Sequence, residues 1–281
     1  MANTRDIKRR ISSVNSIGHI TKAMEMVAGA KLRRAQANVI ASRPYTLHLA
    51  QLISRLQKSG LEISDPLLES GTGPAAYIVL AGERGLSGAY NANILRFAQE
   101  TVRNNPGPVI VVGRKAKDYF SKGGQKIIGE YSLRYEDPTY VDAANIVKPL
   151  LENYRDDIIG SLHLIYTEFV SVLNHKPAAV QLLPITGLVD SEEDTGPYLY
   201  EPSPQEVLER LLPRYLYSVV YQGLLEAKAS EFGAQRTAMK SATDNANEMI
   251  EHLTLSYNRA RQTAITQEIL EVVNGAQALE G

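Results

Sequence analysis

Cysteine is absent from the 281-residue sequence. That excludes disulfides, thiolate metal sites and cysteine nucleophiles, and a reducing, cytoplasmic location fits it. No run of about 20 apolar residues occurs, so no helical membrane span is expected. Residues 1–10 are polar and basic and lack the apolar centre of a signal peptide. The 5 histidines (His19, His48, His163, His175, His252) show no close metal-ligand spacing. No internal repeat is present. Hydrophobic residues make up 44% and charged residues 22%, an ordinary composition with enough apolar chain for one large domain or two modest ones.

Net charge is −1, but the balance is uneven along the chain. Residues 1–60 hold 11 Lys and Arg against 2 Asp and Glu, whereas residues 204–281 hold 7 against 10. The positive first segment points to an acidic or anionic partner, or to a solvated helix face.

Two long amphipathic patterns bracket the chain. From Ser203-Pro204-Gln205-Glu206, which fits a capping box with proline at the first helical position, apolar residues recur at helical spacing to the C-terminus. At 1.5 Å per residue, such a helix reaches about 115 Å and needs a partner. Residues 3–58 give the second helix, with Ile7, Ile11, Val14, Ile17, Ile20, Met24 and Val27 as its seam. Pro44 and Pro213 should kink the two helices. An antiparallel coiled coil follows. If Ala28-Gly29-Ala30 faces Ala238, Ser241, Ala242 and Ala246, paired positions total about 270, because small residues let helix axes approach. Everything beyond about Ile265 is then unpaired. This apolar overhang, Ile265, Ile269, Leu270, Val272 and Val273, calls for an external socket.

Between the helices, residues 60–74 read as a linker. Short apolar runs at 75–81, 109–112, 126–128, 162–169 and 178–185 read as strands. Helical spacing occurs at 89–104, at 114–122 with Tyr119 and Phe120 as the apolar face, and at 139–155, where Pro149 predicts a kink or break. Alternating strands and helices predict a parallel or mixed sheet. The fold class is α/β: a long antiparallel two-helix coiled coil formed by residues 1–60 and 203–281, with a central Rossmann-like α/β domain over 75–190. Residues 186–202 are acidic and loop-like.

Candidate chemistry is thin. Gly82-Glu83-Arg84-Gly85-Leu86-Ser87-Gly88 follows a strand and precedes a helix, where glycines can cradle phosphate. Its spacing matches neither common nucleotide fingerprint, and a tight turn explains it as well. Gly113-Arg114-Lys115 ends the second strand, where ligands gather in open α/β sheets. No Ser-His-Asp set stands out. Lys8-Arg9-Arg10 and Lys31, Arg33, Arg34 form basic clusters able to meet nucleic acid. The helix that carries them has only Tyr45 for stacking, and acidic protein loops account for them equally well.

Several stretches then resemble one family. Ile265-Thr266-Gln267-Glu268-Ile269-Leu270-Glu271-Val272-Val273-Asn274-Gly275-Ala276-Gln277-Ala278 looks like the C-terminal signature of the gamma subunits of F-type ATP synthases. Residues 20–28 (Ile-Thr-Lys-Ala-Met-Glu-Met-Val-Ala), 239–246, 257–262 and 85–91 are similar to further family segments, with Ser87 where the family often has cysteine. The resemblance spans essentially the whole chain. It implies a non-catalytic rotor shaft whose terminal helices turn inside a hexamer of alpha and beta subunits. The middle domain would rest beside the epsilon subunit on the membrane c-ring, with one copy per complex. Proton flow would turn ring and shaft and drive the beta sites through their affinities for ADP, phosphate and ATP. No cofactor is expected on this chain; nucleotides and Mg belong to alpha and beta. No nucleic acid is expected, and membrane association is indirect. The chain lacks the cysteine-bearing regulatory insertion of chloroplast forms, and no transit peptide precedes Met1, which favours a bacterial form at the cytoplasmic face of the cell membrane.

By the same resemblance, Arg261 and Gln262 match positions that contact beta, and Lys22 and Met24 lie near beta. Tyr198, Tyr200 and Glu201 match a segment near epsilon and the ring. Charge assigns Lys8, Arg9, Arg10, Lys31, Arg33 and Arg34 to an acidic lever on beta. The overhang from Ile265 would sit in an apolar sleeve, where fixed ion pairs would create angular stops.

Overall fold

The computed structural model describes residues 4–58, 64–133, 137–171, 174–188 and 200–280. The chain divides into two compact units, residues 28–235 and residues 1–27 with 236–281. The order of elements is α1 (Thr4–Lys58), β1 (Ala75–Leu80), α2 (Tyr90–Asn104), β2 (Val109–Val112), α3 (Arg114–Lys122), β3 (Ile127–Tyr131), α4 (Tyr140–Arg155), β4 (Ser161–Phe169), β5 (His175–Leu183) and α5 (Pro204–Glu280).

In the larger unit the strands form one sheet in the order β3-β2-β1-β4-β5. The first three pairings are parallel and β4 with β5 is antiparallel. Every residue of β1 and β2 is buried, as a parallel sheet covered on both faces requires. Alternation along β1 sorts its side chains. Ala76, Ile78 and Leu80 join α4, Ile53 and Leu56 of α1, and Leu208, Leu212, Leu216, Val220 and Leu224 of α5. Ala75, Tyr77 and Val79 join α2 and α3 on the other face.

Several local expectations change. The apolar face of α3 is Ala116 and Phe120, and Tyr119 is exposed; residues four apart share a helix face, whereas adjacent ones point about 100° apart. Helix α4 does not break at Pro149. The proline ring lies on the exposed side, and the helix start is fixed by a reciprocal capping box between Thr139 and Asp142. Val141, in the first turn of α4, is exposed. The stretch read as a linker contains a 3-10 turn, Pro66–Leu68, capped by Asp65, with Leu67 fully buried. Pro44 and Pro213 lie within uninterrupted helices.

Within this unit α1 and α5 also pack on each other. Leu32, Ala35 and Val39 form a cluster with Leu225, Ala229 and Phe232. In the smaller unit, a Cβ placed on Gly18 would lie 3.5 Å from Ala246 Cβ, and the hydroxyls of Thr21 and Thr243 are 2.8 Å apart. Opposed positions therefore total 264, not 270. The small pair in contact is Gly18 with Ala246, and of Ala28-Gly29-Ala30 only Ala28 is buried. The inward stripe of α1 runs Ile7, Ile11, Val14, Gly18, Thr21 and Met24. Ile17, Ile20 and Val27, expected in the seam, are exposed.

Candidate functional site

Two surfaces carry the side chains that sequence singled out. The first is the free end of α5. From Arg261 to Gln277 every residue is exposed, four residues earlier than a register of 270 predicts and in line with 264. Ile265 is 47% exposed, Val272 71%, and Ile269, Leu270 and Val273 are exposed too. Arg261 and Gln262 open this stretch and face solvent. In the same unit Lys8, Arg9 and Arg10 are exposed, Met24 is half-buried, and Lys22 reaches Glu25 at 3.0 Å.

The second surface is a cavity of about 350 Å³ at the C-terminal ends of β1 and β2. It gathers Lys31 from α1, Arg84 from the glycine loop, Arg114 from the start of α3 and Lys228 from α5. Both lysines approach the Phe232 ring, at 5.8 and 6.0 Å, and Lys228 also pairs with Glu231 at 2.9 Å. Arg114 lies 3.7 Å from Asp118. Of the other basic candidates, Arg33 is exposed and Arg34 pairs with Asp137 at 2.8 Å.

The glycine loop is locked by the chain's own groups. Asn91 Oδ1 accepts from Gly82 N at 2.9 Å, and its Nδ2 donates to Arg84 O and Ser87 Oγ. Glu83 fills the place a phosphate would take at the start of α3. Its Oε2 accepts from Arg114 N at 3.1 Å, while Oε1 accepts from Ser132 Oγ and Leu133 N at 3.0 Å. The carboxylate satisfies a free helix N–H and meets the positive helix end. Gly113 has φ +95, and a Cβ there would overlap Ala81 O, so no other residue closes β2 onto α3 this tightly. The loop is thus a tight turn with an internal anion. The cationic rim around it remains open.

Behind the rim, Tyr90 is fully buried. Its hydroxyl donates to Ala227 O at 3.0 Å, and burial, aided by the Glu231 charge, pushes the phenol far above its ordinary range. The hydroxyl ties α2 to α5. Among the described residues no three His, Cys, Asp or Glu side chains gather as a metal site, and no described helix is long and apolar enough to cross a membrane.

Tyr200 packs partly buried against the main core, and Glu201 is exposed. Tyr198 lies outside the described residues. Sequence reasoning did not bring Arg84, Arg114 and Lys228 together with Lys31. The signal available was the position of two of them at strand ends, where open α/β sheets place ligands.

The family model described as ATP synthase matches residues 3–279. The chain is 46% identical over 283 residues to the ATP synthase gamma chain of Moorella thermoacetica, covering all of both chains. It is 46% identical over 289 residues to that of Heliobacterium modesticaldum, covering 99% of this chain and all of the other. Among solved structures, a chain of the Euglena gracilis mitochondrial ATP synthase superposes with TM-score 0.71 at 20% identity, covering 98% of this chain and 94% of that one. A chain from the rotor of the same synthase gives 0.67 at 20% identity, covering 93% and 98%.

Proposed function

The chain belongs to the family of ATP synthase gamma chains, the non-catalytic subunits of the central stalk, and on that premise we propose that its free α5 end turns inside a hexamer of alpha and beta subunits. The observation that carries this reading is the unpartnered apolar stretch after Ala260. Exposed isoleucine, leucine and valine in such density mark a surface meant to be covered. Ile17, Ile20 and Val27 add outward apolar surface on α1.

Torque passes to beta through polar and basic contacts. Arg261 and Gln262 sit at the base of the free end, free to meet beta. Lys8, Arg9 and Arg10 are exposed cations, and Lys31, Arg84, Arg114 and Lys228 form a concave basic surface that suits an acidic segment of beta. Lys22, Arg34 and Lys228 contribute less directly, since each already holds an internal carboxylate; Met24 and Arg33 belong to the same segments of α1 as Lys22 and Arg34. Tyr200 and Glu201 belong to the surface for epsilon and the c-ring. One copy serves each complex, attached peripherally at the cytoplasmic face of a bacterial membrane. No nucleotide, metal or nucleic acid is expected on the chain itself; at the start of α3, Glu83 already takes donors that a phosphate would use.

The test is reconstitution with alpha and beta subunits. The chain is expected to copurify with them in an ATP-hydrolysing complex; failure to assemble would remove the proposal. In membranes, Arg261→Ala should lower proton pumping per ATP hydrolysed by about tenfold, the value of one lost charge-assisted contact, while assembly is retained. Parental coupling would show that Arg261 does not contact beta. Arg84→Glu inverts one cation of the basic cavity at an exposed position. It should weaken coupling by about threefold, with a shallower salt dependence, and an unchanged salt profile would take the cavity out of the beta interface.

A further inference from the structure

A buried carboxylate sits between α1 and α5 in the larger unit, beside their apolar seam. The Glu226 side chain on α5 is 4% exposed. Its Oε1 accepts from Arg43 on α1 at 3.4 Å and from Gln222 Nε2 one turn earlier at 3.1 Å. Its Oε2 is buried and has no hydrogen-bond partner. Close by along the same helix pair, Thr46 and Ser218 share a hydroxyl contact of 2.6 Å. Tyr166 of β4 lies near enough that its phenol is raised, first by burial and then by the Glu226 charge.

Such a group is a poor device for stability. Removing a carboxylate from water costs several kcal/mol, and the half-exposed Arg43 returns only part of it, so apolar side chains of the same volume would hold the helices as well. Its physical effect is on uniqueness. The neighbouring seam of Leu32, Ala35, Val39, Leu225, Ala229 and Phe232 repeats at three- and four-residue spacing. A slip of one helical turn would set apolar again on apolar along this seam, with only the fit of Leu32 and Phe232 to oppose it. The same slip would carry Glu226 away from Arg43 and leave a buried charge unpaired, the expensive outcome. Rotation of a central stalk loads its helices with torque, and slip between them would dissipate it.

We propose that Arg43, Glu226 and Gln222 form a polar clasp that fixes the register of α1 against α5, so that the two helices carry torque as one body. These are positioning residues that act through the shaft. The proposal rests on the rotor reading above, and the parental chain in the same assay checks that reading separately.

The experiment uses the chain assembled with alpha and beta subunits, with a bead attached to the stalk. Angular spread at the catalytic pauses, proton pumping per ATP in membranes and thermal unfolding are all measured. Arg43→Met combined with Glu226→Met replaces charge by apolar volume. It is expected to keep the parental unfolding temperature while widening the angular spread about twofold and lowering the pumping ratio by a similar factor. Glu226→Gln keeps shape and an acceptor and should fall between the two. Arg43→Lys keeps the charge and should stay near the parent. Leu212→Ala, in the main core and away from the clasp, serves as the control for lost stability. The proposal fails if the methionine pair has parental spread and pumping. It also fails if Leu212→Ala widens the spread as much as the methionine pair does.

Discussion

Replacing Glu83 with alanine lowers the stability of the chain by about 2 kcal/mol, and acetate returns part of the loss. The side chain accepts three hydrogen bonds, from Arg114 N, Ser132 Oγ and Leu133 N. Each is worth about 0.5–1.5 kcal/mol net, and they share one carboxylate, so the sum is discounted. The removal also uncaps the start of α3, which has no side-chain cap of its own at Gly113. For a chain of this size the unfolding midpoint should drop by roughly 5 °C. Acetate at matched ionic strength places a carboxylate at the vacated helix end, whereas chloride does not. Melting curves of Glu83→Ala in the two salts read both effects. Parental melting of the variant would show that Glu83 does not anchor the loop. Equal melting in acetate and chloride would show that the helix end is not an anion site once emptied.

The behaviour of Glu83 also shows where sequence reading stops. A glycine loop between strand and helix is a local pattern, legible from seven residues. Whether it holds phosphate or a carboxylate of its own depends on residues 114, 132 and 133, which only the sheet brings near. The same holds for the basic cavity. Lys31 and Lys228 are 197 positions apart, and no spacing rule connects them. The five strands and their helices, by contrast, were legible because each writes its period into a short stretch. Runs such as Val109-Ile110-Val111-Val112 announce a strand buried on both faces. The antiparallel partner of β4 was not distinguishable from a parallel one, since the alternation of side chains is the same in either case.

The coiled-coil register was legible only to within about two turns. Small residues predicted a total near 270, but both helices offer several small patches. The choice of 264 comes from larger neighbours. Leu32 and Val39 nest with Leu225 and Phe232, while Thr21 finds Thr243. Volume and hydrogen bonding decide among registers that the small residues leave nearly equal. Ile17, Ile20 and Val27 turn outward because the buried stripe steps from Val14 to Gly18 and Thr21 at heptad spacing, and the six-position shift brings the start of the exposed end of α5 forward to Arg261.

Truncation after Ile265 separates the two meanings of an apolar side chain. In the chain alone, Ile269, Leu270, Val272 and Val273 are exposed and bury little against the rest. Their removal should therefore leave the thermal unfolding of the isolated chain unchanged and reduce its tendency to self-associate. In the assembled complex the same four side chains are expected to be covered. Full burial of each is worth about 1.5–3 kcal/mol. Ordering and imperfect fit consume much of that, and a net of about 3 kcal/mol remains. Dissociation of the truncated chain from the alpha–beta hexamer should then be about a hundredfold faster, with a matching loss of coupled ATP synthesis in vesicles. A dissociation rate and synthesis rate equal to the parent would show that the exposed end is not held by a sleeve. A fall in the stability of the isolated chain would show instead that the free end packs on its own molecule. The comparison of isolated chain with complex therefore distinguishes a surface built for a partner from an unfinished core.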